Sequence, residues 1–186
     1  MLYAYLILSH LVGDFVCQPN SLIAWKNRSH IGTFVHVLIL FLINLVFLFP
    51  FLGYKNIFIG LILVYLSHFI EDVLKIEFSK KFPQYELIAF IWDQVFHFLA
   101  ISILYLYLGH LLPILDGYSF IYRLYTNDFF IAILFTLALS SYTWDIVEYQ
   151  IRRLKIQNLK YKRNYKAMFL RAFIFVSLLL LYKSVS

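Results

Sequence analysis

The sequence predicts an all-α membrane protein, a polytopic bundle of about six transmembrane helices. Hydrophobic residues make up 62% of the 186 residues and charged residues only 14%, proportions that exclude an ordinary soluble domain. Several apolar runs reach the roughly 20 residues that a helix needs to cross a bilayer. Glycine and proline are few, at 6 and 4. No alternation of apolar and polar residues runs through the apolar segments, so helices are favoured over a barrel.

The predicted spans follow one another through short connections. They lie at about residues 2–18, 31–52, 56–74, 86–109, 128–149 and 167–183. The N-terminal sequence MLYAYLILSH lacks the basic region and the cleavage site of a signal peptide, so the first span is expected to stay in the mature protein. No segment is long or polar enough for a separate soluble domain. Residues 1–186 are therefore expected to form a single transmembrane domain.

A short motif occurs twice in the first two thirds of the chain. Residues 9–15 read SHLVGDF and residues 67–73 read SHFIEDV, each with Asp four places after His. Four residues are about one helical turn, so each His-Asp pair shares a helix face. The segments FVH, ending at His36, and IWDQVFH, ending at His97, follow the two motifs. The chain is therefore interpreted as two repeated hairpins, 1–52 and 56–109, and a C-terminal hairpin, 128–183, with a basic loop at 150–166.

The basic residues predict the orientation of the spans. Thirteen of the 16 Lys and Arg fall on the side of the loops that follow the first, third and fifth spans. That side is expected to be cytoplasmic, and both termini are expected to lie outside the cell membrane. The segment 152–166, RRLKIQNLKYKRNYK, carries seven basic residues and no acid. Anionic lipid headgroups are its expected partners, and nucleic acid is not.

Ionisable residues fall at one common depth, in the cytoplasmic halves of the predicted spans. Asp93, for example, is expected roughly 10 Å below the end of its span. Each such residue costs roughly 2.5–3.5 kcal/mol inside a membrane, so the group requires mutual compensation. A bound divalent cation provides it, and zinc or manganese suits nitrogen and oxygen donors; di-iron is a further possibility. The predicted metal ligands are His10, Asp14, His36, His68, Asp72, Asp93 and His97.

These seven donors suit two metal ions, or one ion with a carboxylate to spare. The structural alternative is that the same pairs hold the helices together by hydrogen bonds. Gln18 and Gln94 lie one turn from predicted ligands and are expected to contact ligands or substrate, or to cap helices at the interface.

The sequence also predicts roles for further polar residues. Asp145 is an eighth candidate ligand, and Arg171 is expected either to clamp a phosphate or to pair with Asp145. Lys75 is expected to pair with Glu71, and Arg152 with Glu148, four residues apart in both cases. Ser9 and Ser67 are expected to bond a backbone carbonyl of the preceding turn.

The segment HLVGDFVCQ, residues 10–18, resembles an uncharacterised bacterial integral-membrane family, a domain of unknown function with the N-terminal signature His-Leu-x-x-Asp-Phe-x-x-Gln. The signature falls on His10, Leu11, Asp14, Phe15 and Gln18. The later segments SHFIEDVLK and WDQVFH are also similar to that family, over the first 100 residues or so. The resemblance implies a multi-span fold and no particular activity. A looser similarity in His/Asp pattern and size links the chain to bacterial membrane-bound metal-dependent hydrolases.

The expected function is a metal-dependent hydrolase that acts on a lipid phosphate or another headgroup ester from the cytoplasmic leaflet. Asp93 would act as general base, and Arg171 or Lys75 would hold the anionic headgroup. A divalent-metal or proton-coupled transporter is the main alternative, although the outer halves of the central spans are almost wholly apolar. A di-iron oxidase of lipids and a noncatalytic scaffold are the remaining hypotheses.

Overall fold

The computed structural model describes residues 1–109, 111–114, 119–156, 159 and 161–185. The described residues form helices and no strand, so the predicted all-α class is confirmed. The chain divides into two compact units, Met1–Leu115 and Asp116–Ser186.

Unit 1 contains five α-helices. A π-helical turn, Val12–Val16, continues the first helix, and short 3-10 turns at Phe49–Phe51 and Pro83–Tyr85 precede the last two. Ser29 caps the third helix, because its hydroxyl accepts a hydrogen bond from the Ile31 amide at 3.2 Å. The helices are α1 Leu2–Leu11, α2 Asn20–Lys26, α3 His30–Phe47, α4 Lys55–Lys81 and α5 Glu86–Leu108.

Four of these helices enclose the core of unit 1. α1 packs against α3 and α5, and α4 packs against the same two helices, so the four close into a ring. One end of the ring is filled by apolar side chains with at most 1% of their surface exposed. These side chains are Leu48, Phe51, Ile57, Leu61 and Leu108. α2 packs on the outside of this ring, against α3.

Among the described residues, five helical segments are long and apolar enough to cross a membrane, which indicates a membrane protein. Large hydrophobic side chains cover their outer faces; Val46 is 73% exposed and Leu106 81% exposed. The apolar helix Leu2–Val16 is shorter than these five. It is roughly 22 Å long, against the roughly 30 Å of a hydrocarbon core. The five segments are His30–Phe47, Lys55–Lys81, Pro83–Leu108, Asp128–Arg153 and Tyr165–Val185.

The end of α4 differs from its prediction. The apolar run indicated an end near residue 74, whereas the helix continues to Lys81. Hydropathy marks the end of the apolar run and not the end of the helix. The last turns are favoured because Lys80 pairs with Glu77 at 2.7 Å and because two lysines lie at the negative end of the helix dipole.

Unit 2 contains the remaining helices. α6 Phe120–Tyr125 precedes α7 Asp128–Ala138, which continues through a π-helical turn, Leu139–Thr143, into α8 Trp144–Arg153. α9 Tyr165–Val185 packs against α7 and against the π-helical turn. In the predicted basic loop, residues 157, 158 and 160 lie outside the described residues.

The contact between α2 and α3 generates the first prediction. A Cβ atom on Gly32 would lie 2.6 Å from both the backbone nitrogen of Lys26 and the carbonyl carbon of Trp25. Backbone cannot move aside as a side chain can, so Gly32→Ala should destabilise unit 1 by about 1–3 kcal/mol, the usual cost of overpacking. A lowered midpoint of thermal unfolding in detergent micelles would report this loss.

Gly53→Ala is the matched control for that substitution. Its Cβ would also meet an atom at 2.6 Å, but that atom is the Cδ1 at the mobile end of the Ile114 side chain. The control should keep a midpoint near that of the wild type. Equal midpoints for the two variants would contradict a tight α2–α3 contact.

Candidate metal centre

The seven predicted metal ligands lie together inside unit 1. They come from five different elements, namely α1, the π-helical turn after it, and the facing turns of α3, α4 and α5. Each residue is at most 7% exposed. The ligands are His10 on α1, Asp14 on the π-helical turn, His36 on α3, His68 and Asp72 on α4, and Asp93 and His97 on α5.

The donor atoms have the spacing of a metal site. His36 Nε2 lies 3.1 Å from Asp14 Oδ1 and 3.5 Å from Asp72 Oδ2. His68 Nε2 lies 3.7 Å and 3.5 Å from the same two oxygens. A tetrahedral ion with bonds of about 2.1 Å holds its donors about 3.4 Å apart. Donor atoms on three elements therefore lie at separations typical of a metal site.

Three overlapping sets of donors fit a cation. In each set, one ligand atom from every residue lies within 4.8 Å of the others, and every residue is buried. His68 and Asp72 each belong to two of the sets, so the sets merge into one centre. The sets are Asp14 with His68 and His97, His36 with His68 and Asp72, and Asp72 with Asp93 and His97.

Several polar atoms of the centre lack an aligned hydrogen bond with the described residues. An unsatisfied buried polar atom costs about 1–3 kcal/mol, so a group of them at one point requires a shared partner. A cation bound by nitrogen and oxygen is such a partner, and the residues present fit zinc or manganese. The atoms are Nε2 of His10, His68 and His97 and Oδ1 of Asp14 and Asp93.

Two lysines, which the sequence did not indicate as part of the cluster, also reach the centre. Lys26 Nζ lies 2.6 Å from Asp72 Oδ2, and Lys75 Nζ donates to Asp93 Oδ2 at 2.9 Å. Lys26 is the last residue of α2 and is only 8% exposed, although the sequence places it in a cytoplasmic loop. Its role was missed because hydropathy and periodicity do not indicate that the loop folds back against α3.

The charges of the centre leave room for one divalent ion. The centre contains four carboxylates and two ammonium groups, those of Lys26 and Lys75. When the imidazoles are neutral, two negative charges are therefore left uncompensated. A single divalent cation would cancel this excess, since isolated charges are costly at membrane depth. The carboxylates are those of Asp14, Glu71, Asp72 and Asp93.

Glu71 orients one of the candidate ligands. Its Oε2 lies 2.6 Å from His97 Nδ1, while His97 Nε2 lies 3.3 Å from Asp93 Oδ1. Metal-bound histidines usually donate their second ring N–H to a carboxylate in this way. The predicted pairing of Glu71 with Lys75 is wrong, because each finds a partner on α5.

The two predicted glutamines contact ligands. Gln18 Nε2 lies 3.2 Å from His36 Nδ1, and Gln94 Nε2 donates to Asp93 Oδ2 at 3.2 Å. A longer contact of 3.5 Å joins Gln94 Nε2 to Asp14 Oδ2. These amides hold the rings and carboxylates that they touch, as the sequence predicts.

A group of hydrogen-bonded polar side chains adjoins the centre, on the side nearer the apolar end of the ring. Ser9 Oγ lies 2.8 Å from Asn44 Oδ1, and the Asn44 amide donates to the Tyr65 hydroxyl. Ser9 also reaches the Leu6 carbonyl at 2.9 Å, and Ser67 bonds the Val64 carbonyl at 2.8 Å. The predicted bonding of both serines to the preceding turn is therefore confirmed. We call the set Ser9, Asn44 and Tyr65 the polar layer.

Arg171 and Asp145 pair with each other in unit 2. An Arg171 Nη2 to Asp145 Oδ1 distance of 3.2 Å shows the ion pair, and Arg171 Nε donates to the Ser140 carbonyl at 3.1 Å. Tyr161 donates to Asp145 Oδ2 at 3.0 Å, and burial raises the pKa of Tyr161 to about 12. Of the two roles predicted for Arg171, the structure has the ion pair.

Glu148 in unit 2 pairs with Arg152, as the sequence predicts. The distance between the two side chains is 2.5 Å. The spacing Leu-Ser-x-x-x-x-Asp occurs at Leu8–Asp14, at Leu66–Asp72 and again at Leu139–Asp145. The Asp is buried in all three places, and the ion pair with Arg171 compensates the charge of Asp145. Of the remaining histidines, His30 is exposed at the start of α3 and His110 lies outside the described residues.

Comparison with known proteins gives one match. The model of a family described as "Protein of unknown function (DUF3307)" matches residues 2–122. This range contains all seven candidate ligands and both lysines of the centre. No curated protein and no solved structure matches the chain.

Metal content tests the centre directly. His68 belongs to two of the three donor sets, so His68→Ala should remove most of the bound zinc or manganese from protein purified in detergent. His30→Ala, which changes an exposed histidine, should leave the metal content unchanged. Inductively coupled plasma mass spectrometry gives the metal-to-protein ratio. Full occupancy in a protein carrying both His10→Ala and His68→Ala would rule out the shared site.

The buried ion pair of Lys26 gives a stability prediction. Lys26→Met leaves Asp72 without its ammonium partner, and removal of one member of a buried pair costs about 3–5 kcal/mol. The free energy of unfolding, measured in detergent with a chelator present, should fall by about 3–5 kcal/mol. Adding Asp72→Asn should recover much of the loss.

Lys80→Met is the control for this measurement. It breaks a pair of similar length, 2.7 Å, whose two side chains are 52% and 56% exposed. Exposed pairs contribute little to stability, so this variant should unfold like the wild type. If both lysine variants lost the same stability, Lys26 would not compensate a buried charge.

Proposed function

Within the DUF3307 family of proteins of unknown function, to which the chain belongs, we propose that this member is a metal-dependent hydrolase of the cytoplasmic membrane. Its substrate is a lipid-borne phosphate or another headgroup ester, taken from the cytoplasmic leaflet. The observation that carries the proposal is the buried convergence of six nitrogen and oxygen ligand residues in three overlapping sets, with His10 beside Asp14 and two negative charges in excess. A zinc or manganese ion bound there supplies Lewis-acid activation of water and of the ester oxygen.

Asp93 has the environment of a general base. Its Oδ2 accepts hydrogen bonds from Lys75 at 2.9 Å and from Gln94 at 3.2 Å, which fixes the carboxylate. Its Oδ1 has no aligned hydrogen bond among the described residues and points to His97 Nε2 at 3.3 Å. An oriented carboxylate with one free oxygen at the centre can take a proton from the attacking water.

Lys75 is the residue proposed to neutralise the anionic headgroup. Its side chain is 25% exposed, whereas that of Asp93, its partner, is 2% exposed, so the ammonium lies at the edge of the centre. Arg171 is not proposed to hold the headgroup, because its guanidinium contacts Asp145, Glu148 and the Ser140 carbonyl within unit 2.

The proposed orientation follows from the basic residues. Both termini lie outside, and the centre opens toward the cytoplasm. Anionic lipid headgroups are the proposed partners of the basic segment 152–166.

A divalent-metal transporter is the second candidate, and the polar layer favours it. Ser9, Asn44 and Tyr65 extend the polar region by about one turn toward the other side of the bundle. Beyond them the core is closed by apolar side chains such as Leu48, Phe51 and Ile57, each with no exposed surface. A transport site needs polar access to both sides. This apolar layer therefore supports one-sided chemistry over transport.

The excess of two negative charges also indicates how many metal ions the proposed centre binds. A di-iron centre brings at least four positive charges, twice what the four carboxylates and two lysines leave uncompensated. One divalent ion is the better match, which supports hydrolysis over di-iron oxidation.

Asp93→Asn separates the two main candidates. The amide keeps the shape and one oxygen but cannot accept the proton, so hydrolysis of a lipid phosphate should fall by roughly 10²–10⁴-fold. Metal content should be largely retained, because the other six ligand residues are unchanged. Phosphate release from a panel of lipid phosphates in detergent micelles, with metal analysis of the same samples, measures both.

Asp128→Asn is the matched control, since Asp128 is an exposed aspartate at the start of α7. It should keep wild-type turnover. The proposal fails if reconstituted wild-type protein carries zinc or manganese into liposomes and releases no phosphate from any lipid of the panel.

A further inference from the structure

A large apolar groove lies between α4 and α5 beside the metal centre. Its volume is about 770 Å³, within the roughly 300–1,000 Å³ of small-molecule sites. On the α4 side, Phe78 and Phe82 have ring centroids 5.1 Å apart. On the α5 side, Trp92 and Phe96 are stacked with centroids 5.5 Å apart. Two aromatic pairs thus form the walls.

The groove and the centre share residues. Glu71, Lys75 and Asp93 line the groove at its polar end. Asp93 and Glu71 are also the two carboxylates that approach the ring nitrogens of His97, at 3.3 Å and 2.6 Å. The inner wall of the groove is therefore the outer wall of the metal centre.

The position of the groove indicates what fills it. α4 and α5 are both long and apolar enough to span a membrane. The side chains at the rim face outward; Leu74 is 64% exposed and Trp92 57% exposed. An apolar groove that opens toward hydrocarbon accommodates a hydrocarbon chain, because most of its surface is apolar.

Two lysines of α4 line the groove at different depths, where each can bind a charged headgroup. Lys81 lies at the end of α4, and Lys75 lies six residues earlier, roughly 9 Å deeper along the helix. Both line the groove. Lysines near the ends of membrane helices extend toward the headgroup region. A headgroup held first by Lys81 has a second cation at the depth of the metal centre.

We propose that this groove binds the hydrocarbon chain of an anionic membrane lipid, the substrate of the proposed hydrolase. The inference rests on that proposed function. The chain lies between the two aromatic pairs, Lys81 holds the anionic headgroup at the membrane surface, and Lys75 holds it at the metal centre. The substrate enters sideways from the bilayer between α4 and α5, and its anionic charge is the feature that is selected.

Quenching of Trp92 fluorescence tests the groove. In protein carrying Trp25→Phe and Trp144→Phe, Trp92 is the remaining tryptophan of the chain's three. The protein is placed in vesicles of phosphatidylcholine that contain a fixed mole fraction of either brominated phosphatidylglycerol or brominated phosphatidylcholine. We expect several-fold stronger quenching by the anionic lipid at low mole fraction. Lys81→Gln should remove this preference.

Trp144 provides the matched control. It is 51% exposed on α8 in unit 2, so protein that keeps Trp144 and carries Trp25→Phe and Trp92→Phe should be quenched equally by both lipids. Equal quenching of Trp92 by the two lipids, or a preference that survives both Lys81→Gln and Lys81→Glu, would overturn the groove proposal.

The outcome for the groove is independent of the outcome for hydrolysis. A lipid preference at Trp92 in a protein that binds no metal would overturn the metal-dependent hydrolase and leave a lipid-binding groove. Metal binding and phosphate release without a lipid preference would leave the hydrolase and overturn the groove.

Discussion

The arrangement of unit 1 depends on the compensation of negative charge inside an apolar bundle. Asp72 is 1% exposed and Asp93 5% exposed, and each lies on a helix that is long enough to span a membrane. Carboxylates at such positions are costly unless they are paired or bind metal. Lys26 and Lys75 supply part of the opposite charge, and the proposed cation would supply the rest. Most of the polar contacts of this region are consequences of this requirement.

The backbone is adapted to that requirement where the helices meet. The π-helical turn Val12–Val16, closed by the Cys17 amide on the Val12 carbonyl at 2.9 Å, places Asp14 among the other ligands. Such turns are frequent at functional sites, because the extra residue changes which side chains face inward. Gly13 lies in the same turn, and a Cβ there would meet Leu40 Cγ at 2.6 Å. α1 and α3 can therefore approach closely beside His10 and His36.

The sequence was sufficient to predict the class and which His and Asp residues lie together, because both rest on residues within single helices. A His and an Asp four residues apart share a face whatever the tertiary fold, and two such pairs on buried helices have to meet. Lys26 was not predictable in this way, since its position depends on how α2 folds back onto α3 around Gly32. Glu71 could bond Lys75 or His97, and only the packing of α4 against α5 selects His97. The end of α4 was misplaced because hydropathy does not detect the ion pair of its last turns.

The layers of unit 1 argue for access from one side. Along the bundle, the lysine at the end of α4 is followed by Lys75 and Asp93, then by the histidines, and then by the polar layer of Ser9, Asn44 and Tyr65. The next layer is apolar, with Leu48 and Phe51 completely buried. An ion that crossed this layer would lose all of its ligands at once, at a cost that no described side chain there offsets. The polar layers therefore lead to the centre from the end of the bundle that carries the lysines.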